Sequence, residues 1–404
     1  MISVGIDISK RKSTAAILNV QGEVICSPFE FRHTKSGFEE LLMYVKDYPQ
    51  DEVKFIMEAT GIYHLALLEF LKSKGYFVHV ANPLLIKKFF DAEIRKGKTD
   101  RKDALKLSLY GTEKWFKLDD HLISEKIYSE LMMLSREYNQ LIAIRTKSKI
   151  QLNHLIERIF PGIEKILTDY YTELLLDFLL KYPHVSYVVK QSEKVFTKQF
   201  VKMAEKKEHT KGPQLAKKVY DLALECVPAI SSSRSLEIAV ESCINVLRST
   251  QTSTDAIITQ MRLLAKELPE YDMVRSMPGI GDTLAPRLIA EIGDIRRFKN
   301  AKSLIAYAGI DAPPYQSGQF EGTRRHISKR GSASLRKCGF EIMFILMRRE
   351  PSEDKDIYEY IQKKRAEGKA FKVALFAGFN KMLRIYYART MEIYSKLKIG
   401  RAHV

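Results

Sequence analysis

The spacing of apolar residues changes once along this chain, near residue 116, and the change separates two kinds of structure. Before it, Ile2, Val4 and Ile6 alternate with small or polar residues. Ala15–Val20 and Val24–Phe31 follow across a Gln21-Gly22 turn, which reads as a three-strand meander. Phe38–Val45 has helical spacing, Val53–Met57 is an apolar strand, Tyr63–Leu71 a helix stopped at Gly75, and Phe77–Val80 another strand. Three strands followed by alternating helix and strand predict an α+β or mixed α/β domain over residues 1–115. After the change, Leu131, Leu134, Tyr138, Leu141, Leu152, Leu155 and Ile159 keep one heptad register, broken at Arg145 and Ser148. Ile244, Leu247, Ile258, Met261 and Leu268 keep a second, with Gln251 and Thr254 at its weak centre. Matched, interrupted heptads fit an antiparallel pair within the chain and a dimer seam equally well. Residues 116–270 are therefore read as a helical coiled-coil region. Within it, 168–233 is an insertion with no recognisable chemistry, and its mixed-charge run Glu205–Gly212 reads as a solvated helix end or loop.

Charge narrows the partner. The 404 residues carry 66 Lys and Arg against 49 Asp and Glu, a formal net charge of +17, which points to a polyanion rather than a small substrate. Charge reads phosphates only, so it does not separate RNA from DNA. A hydrophobic fraction of 45% supplies real cores and excludes disorder for most of the chain. Apolar stretches such as Leu174–Leu180 meet charges well before the ~18 residues of a membrane helix. The N-terminus reaches Asp7 without the basic and apolar regions of a signal peptide, so a cytoplasmic protein away from membranes is expected. The four cysteines, Cys26, Cys226, Cys243 and Cys338, lack C-x-x-C spacing and read as small hydrophobes.

Acidic residues sit at the ends of elements. Asp7 ends the first strand, and Glu58 ends the fourth in M-E-A-T-G-I-Y-H. Asp100 and Asp103 lie in K-T-D-R-K-D-A, where Thr99 can cap a helix and the two aspartates, three apart, share a face. Each alone is accounted for by turn formation or by the helix dipole. Four carboxylates converging on one point would need a cation, and Mg²⁺ suits all-oxygen ligands, as Mn²⁺ also would. Paired ions of this kind activate and stabilise the oxygens of phosphoryl transfer. G-I-D-I-S-K, M-E-A-T-G and T-D-R-K-D-A, in this order, resemble the RuvC-like, ribonuclease-H-fold domain of the DEDD transposases of insertion-sequence family 110, the bridge-RNA-guided recombinases. The resemblance implies that the catalytic, metal-holding tetrad is Asp7, Glu58, Asp100 and Asp103. Tyr63 and His64 are read as packing or backbone contacts.

The last third carries a second group of motifs in a domain read as mostly helical, residues 271–398. V-R-S-M-P-G-I-G-D-T-L-A, 274–285, has the shape of a helix-hairpin-helix turn, in which Gly279 and Gly281 let backbone approach a phosphate and Pro286 falls in the first turn of the second helix. A Pro-Gly turn between helices also needs no ligand. Ala301–Gly309 reads as a short helix, followed by a loop from Asp311 to Phe320. Arg324, Arg325, His326, Lys329, Arg330, Arg336 and Lys337 then crowd the next stretch, where arginines could grip phosphates. Ser317, beside Gly318, would by itself be a turn serine. The order helix-hairpin-helix, A-Y-A-G-I-D-A-P-P-Y-Q-S-G, H-I-S-K-R-G-S-A-S-L-R and G-K-A-F-K-V-A-L-F-A resembles the second signature domain of the same family, whose serine nucleophile maps onto Ser317. Tyr315 ranks second, and Ser328, Ser332 and Ser334 read as capping or phosphate-binding residues.

Taken together, the resemblance implies a bacterial or archaeal, nucleoid-associated transposase that cuts and rejoins donor and target double-stranded DNA under a structured bridge RNA. It also implies a homo-oligomer, dimer or tetramer, with the tetrad and the serine able to come from different protomers. Two other classes fit the residues: a RuvC-like Holliday-junction-type endonuclease using water, and a non-catalytic nucleic-acid-binding protein. The last six residues, Ile399-Gly-Arg-Ala-His-Val404, match the translation of a common sequencing adapter, so the native tail is expected to differ.

Overall fold

In a computed structural model of the chain, the opening meander forms as the alternation predicts: β1 (Ile2–Ile8), β2 (Lys12–Asn19) and β3 (Val24–Arg32) pair antiparallel. The structure describes all residues except 59, 60, 82, 91–98, 121–125, 168–170, 208–211, 314, 315, 318, 319, 322–325, 403 and 404. At 84, 90, 316, 317, 320, 321 and 398–402 it describes the backbone alone. The chain divides into two units, Met1–Ser124 and Glu125–Val404.

In the first unit, α1 (Lys35–Met43) leads to β4 (Val53–Glu58), α2 (Leu65–Ser73), β5 (Phe77–Ala81), α3 (Pro83–Phe90) and α4 (Asp100–Glu113). The sheet is mixed, in the order β3-β2-β1-β4-β5, with β4 parallel to both β1 and β5. One face is apolar: Val4, Ile6, Phe55 and Met57 are fully buried with Leu41 of α1 and Leu67 and Leu71 of α2. The other is covered by α4. The unit runs past residue 115 because its last segment is tied to the sheet. Lys54 Nζ donates to the Trp115 carbonyl at 2.8 Å. Asp120 accepts from the Val78 amide at 2.9 Å and pairs with Lys72 at 2.6 Å.

The second unit is helical apart from one two-stranded ribbon. Two long helices run through it, α5 (Lys126–Ile159) and, after α6 (Ile163–Ile166), α7 (Glu173–Lys181), α8 (Ser186–Val189), α9 (Glu193–Glu205) and α10 (Gly212–Glu225), α11 (Arg234–Lys266). Tyr128 and Leu131 near the start of α5 share a core with Ile258 and Met261 near the end of α11. Leu152 and Ile156 at the other end share a second core with Ile244 and Leu247. The helices are therefore antiparallel, and the heptad faces are consumed within the chain rather than in a dimer seam. The two register breaks meet: Arg145 donates to Gln251, and Ser148 and Thr254 are buried. Arg145 and Gln251 satisfy each other where a continuous heptad would have put leucines, and Thr254 donates to the Gln251 carbonyl of its own helix at 2.8 Å.

The segment between the long helices adds Phe178, Phe196 and Phe200 to the core that it shares with the ends of α5 and α11. Lys207, within the run read as a solvated end, pairs with Asp177 at 3.2 Å beside Arg248, while 208–211 lie outside the described residues. The chain continues through α12 (Tyr271–Ser276), α13 (Leu284–Ile292), α14 (Ala301–Ala308), β6 (Gln316–Ser317), β7 (Phe320–Glu321), α15 (Ala333–Arg348), α16 (Asp356–Ala366) and α17 (Phe371–Ala402). Three buried polar side chains of this part are paired across helices. Tyr128 Oη donates to Glu270 at 2.8 Å, Ser135 Oγ to Glu291 at 2.8 Å, and Arg287 to Glu341 at 2.8 Å. The cysteines carry free thiols, with Cys243 and Cys338 buried. Among the described residues no helix is long and apolar enough to cross a membrane.

Candidate active site

The face of the sheet under α4 carries the acidic residues, and one contact sets their level. Gly5 lies so close to α4 that a Cβ there would stand 2.1 Å from the Ser108 amide nitrogen and 2.3 Å from the Ala104 carbonyl. Ser3 and Ser108 lock the same approach reciprocally: Ser3 Oγ donates to the Ser108 carbonyl at 2.7 Å, and Ser108 Oγ to the Ser3 carbonyl at 2.6 Å. Strand side chains alternate, so Asp7 shares the face of Ser3 and Gly5. With Ser3 at Ser108 and Gly5 at Ala104, α4 runs antiparallel to β1, its N-terminus toward the end that holds Asp7. From Ser3 to Asp7 a strand rises about 13 Å. From Ser108 back to Asp100 a helix rises about 12 Å. The matching lengths bring the first turn of α4, with Asp100 and Asp103, to the level of Asp7.

Glu58 joins them through β4. The register pairs Ile6 with Met57, so its continuation sets Asp7 beside Glu58. A Cβ on Gly111 of α4 would meet Ile56 Cδ1 at 2.5 Å and Ser3 Oγ at 2.1 Å. Ile56 therefore lies on the α4 face, and Glu58, two residues on, shares it. Thr99 caps α4 by accepting from the Lys102 amide at 3.3 Å, as its sequence context predicts. The helix dipole favours carboxylates in this first turn. His64 is buried and Tyr63 is partly exposed, both just before α2.

Asp7 and Glu58 thus share one face and one end of the sheet, and Asp100 and Asp103 stand in the first turn of the helix that covers that face. Among the described residues, no three His, Cys, Asp or Glu side chains converge closely enough to hold a metal ion. As a donor set, the four offer oxygens only, which fits a hard divalent cation such as Mg²⁺. Sequence reasoning passed over two neighbours at the same level. Thr14 lies directly opposite Asp7 on β2 and is buried. Glu30 lies opposite Thr14 on β3 and is bound to Lys12 at 2.7 Å, whose hydrogen bond and charge hold its carboxyl below the usual range. Strand register, rather than any motif, is the signal that would have found them.

In the second unit, Ser317 sits in β6, paired opposite Phe320, with Gln316 opposite Glu321. The expected loop from Asp311 to Phe320 is thus interrupted by a short antiparallel ribbon. The excursion is closed at its base by three backbone bonds. The Ser328 amide donates to the Asp311 carbonyl at 2.8 Å, the Lys329 amide to Gly309 at 3.0 Å, and the Ser332 amide to Tyr307 at 2.7 Å. Arg336 is fastened to this base, donating to the carbonyls of Ala308 and Gly331 at 3.0 Å each. Lys337 donates to Asn139 at 3.0 Å, and Lys329 and Arg330 are exposed. Ser332 caps α15 through the Leu335 amide, and Ser328 donates to Asp311 at 2.5 Å. Tyr315, Arg324 and Arg325 lie outside the described residues.

The turn between α12 and α13 uses its two glycines differently. Gly279 has a φ of +79°, and a Cβ there would stand 2.9 Å from the Ile342 carbonyl, so its close approach is to α15. Gly281 has open space around it. Pro286 is the third residue of α13, in its first turn as expected. Two cations brace this turn, one inside the motif and one outside it: Arg275 pairs with Asp282, and Arg262 Nε donates to the Asp282 carbonyl at 3.0 Å.

Comparison with known proteins gives this arrangement its family. Residues 4–161 match the profile of the DEDD transposases of the IS110 type, and residues 271–359 that of the IS116/IS110/IS902 transposases, between them more than half of the chain. The 43.6 kDa protein of insertion element IS110 from Streptomyces coelicolor is 23% identical over 317 residues, 78% of this chain and 75% of that protein. A pilin gene-inverting protein from Moraxella bovis is 23% identical over 392 residues, 95% and 94% of the two chains. A transposase of insertion sequence element IS1111A from Coxiella burnetii is 34% identical over a stretch of 77 residues, 19% of this chain and 21% of that one. The two profiles follow one another along the chain in the expected order, and the chain belongs to the IS110/IS116/IS902 family of transposases, enzymes of DNA recombination.

Proposed function

We propose that this transposase cuts and rejoins DNA with Asp7, Glu58, Asp100 and Asp103 as a Mg²⁺-holding tetrad and Ser317 as the nucleophile, directed by a bridge RNA. The observation that supports the reading is the register of β1 and β4, which sets Asp7 and Glu58 side by side on the face covered by α4, the helix that begins with Asp100 and Asp103. A mixed sheet with this order supports a RuvC-like, ribonuclease-H-type domain, and the α12–α13 turn supports a helix-hairpin-helix. Bound divalent ions, Mg²⁺ or Mn²⁺, would polarise the scissile phosphate and favour ionisation of the serine hydroxyl. Ser317 Oγ then attacks phosphorus, the Oγ–P bond forms as the P–O3′ bond breaks, and the released 3′ oxygen takes up a proton. Attack of a 3′-hydroxyl on the resulting 5′-phosphoserine rejoins the strand. That a relative is named for inverting a gene supports rejoining as well as cutting. The cationic surplus supports a nucleic-acid partner; DNA and RNA together, in a nucleoid-associated, cytoplasmic assembly of more than one copy, complete the proposal.

The test combines purified protein, RNA transcribed from the flanking region, donor and target DNA and Mg²⁺, and probes denaturing gels for DNA attached to protein. An RNA-dependent adduct that vanishes in both Ser317→Ala and Asp7→Ala is the expected result. Mixing the two variants tests the assembly, since a recovered adduct means that one copy supplies the serine and another the tetrad. Free nicked DNA without adduct, unaffected by Ser317→Ala, would replace this reading with a water-using endonuclease.

A further inference from the structure

A groove of about 850 Å³ lies where the Ser317 excursion joins the body of the second unit. Ile310 and Ala312 line it on the outgoing side, and His326, Ile327 and Lys329 on the return. The opposite wall is α17, where Lys372, Phe376, Asn380 and Arg384 recur every fourth residue and so form one row along the helix. Tyr360 of α16 and Lys381 complete it. The core side of α17 is separate, since Leu375, Phe379, Met382 and Leu383 are buried. The row is thus a flank of the helix left to the groove.

Its chemistry is mixed in a specific way. The floor is apolar and aromatic, with Ile310, Ile327 and Phe376. The rim gathers Lys329, Lys372, Lys381 and Arg384, and no carboxylate lines it among the described residues. Like charges brought together in a concavity raise its potential and favour an anion. The rim is also partly set in place: Lys381 donates to the Asp356 carbonyl at 2.9 Å, and Arg384 to Asn380 at 3.0 Å. Lys329 holds a left-handed backbone with φ +53°, which a non-glycine residue keeps only where its surroundings hold it, here through its amide bond to Gly309. An inorganic anion would leave the floor unused, and a duplex is too broad to enter a pocket of ligand size. An unpaired nucleotide satisfies both parts, its base on the aromatic floor and its phosphates on the rim.

We propose that this groove takes a single unstacked nucleotide of a strand, beside the segment that carries Ser317. The inference rests on the transposase reading above and adds where an unpaired base is held. It is tested with full-length protein titrated into a short single strand carrying one 2-aminopurine, as DNA and as RNA, and into the same DNA as a duplex. Quenching of the probe on the single strand is expected. Phe376→Leu should weaken single-strand binding about tenfold with duplex affinity changed less than about threefold. Lys372→Glu, at an exposed position, guards against misfolding and should lower single-strand affinity about fivefold at low salt. Quenching by either single strand supports the site, and the tighter of the two identifies which strand it serves. Equal losses on duplex and single strand, or no loss in either variant, would overturn it. The adduct assay run alongside separates the two claims: adduct without quenching removes the groove alone, and quenching without adduct leaves the groove and removes the Ser317 reading.

Discussion

Gly5 does more to position the acidic face than any of the acids. Its missing side chain lets the backbone of β1 reach that of α4, which sets the level at which Asp100 and Asp103 stand relative to Asp7. Gly5→Ala puts a methyl group against the Ser108 amide, with backbone rather than a flexible side chain in the way. The expected cost is about 1–3 kcal/mol, read as a lowered melting temperature of the first unit. Adduct formation should fall further than nucleic-acid binding, because the helix start is displaced while the basic surface stays. A Gly5→Ala protein with unchanged melting and full adduct yield would show that α4 is placed by other contacts. The placing of Asp7, Glu58, Asp100 and Asp103 near the ends of their elements was legible in the sequence, since strand ends and a Thr99 cap are local features. Gly5, Thr14 and Glu30 were not, because their places follow from the packing of α4 on β1 and from the register of β1, β2 and β3, which no local pattern fixes.

At the scale of elements, heptad spacing identified α5 and α11 but left their partner open. The pairing became clear only from which end of each helix shares a core, and from the meeting of the two register breaks at Arg145 and Gln251. The ribbon that carries Ser317 is the opposite case. Two-residue strands are too short to leave a periodic signal, and the excursion is defined by bonds at its base more than by its own sequence. The two cores strung along the long helices give a prediction of their own. Leu152→Ala, at a fully buried position, should cost about 2–5 kcal/mol. Hydrogen exchange should then rise across α7, α9 and α10, while α13 and α14 keep their protection. Equal loss in both regions would mean that the cores fold and open as one.

At the scale of the whole molecule, the net charge of +17 has a measurable signature. Binding to non-specific duplex DNA should weaken steeply with salt, by about 10³-fold or more between roughly 50 and 200 mM if some six phosphates are neutralised. A shallow slope would show that the surplus is dispersed rather than gathered on a binding surface. The antiparallel rod of α5 and α11 has a different consequence. The chain leaves at Ile159 and returns at Arg234 on the same end, where the Ala229 amide donates to the Arg158 carbonyl at 2.8 Å. Everything between is a head on a two-stranded stalk, and its aromatic interior is shared with the stalk through Leu152, Ile156, Ile244 and Leu247. The head is bound to that end by this core and by Arg248, which pairs with Glu173 at 2.7 Å. A foreign domain put in its place would have to supply those apolar partners as well as give the chain back where it took it.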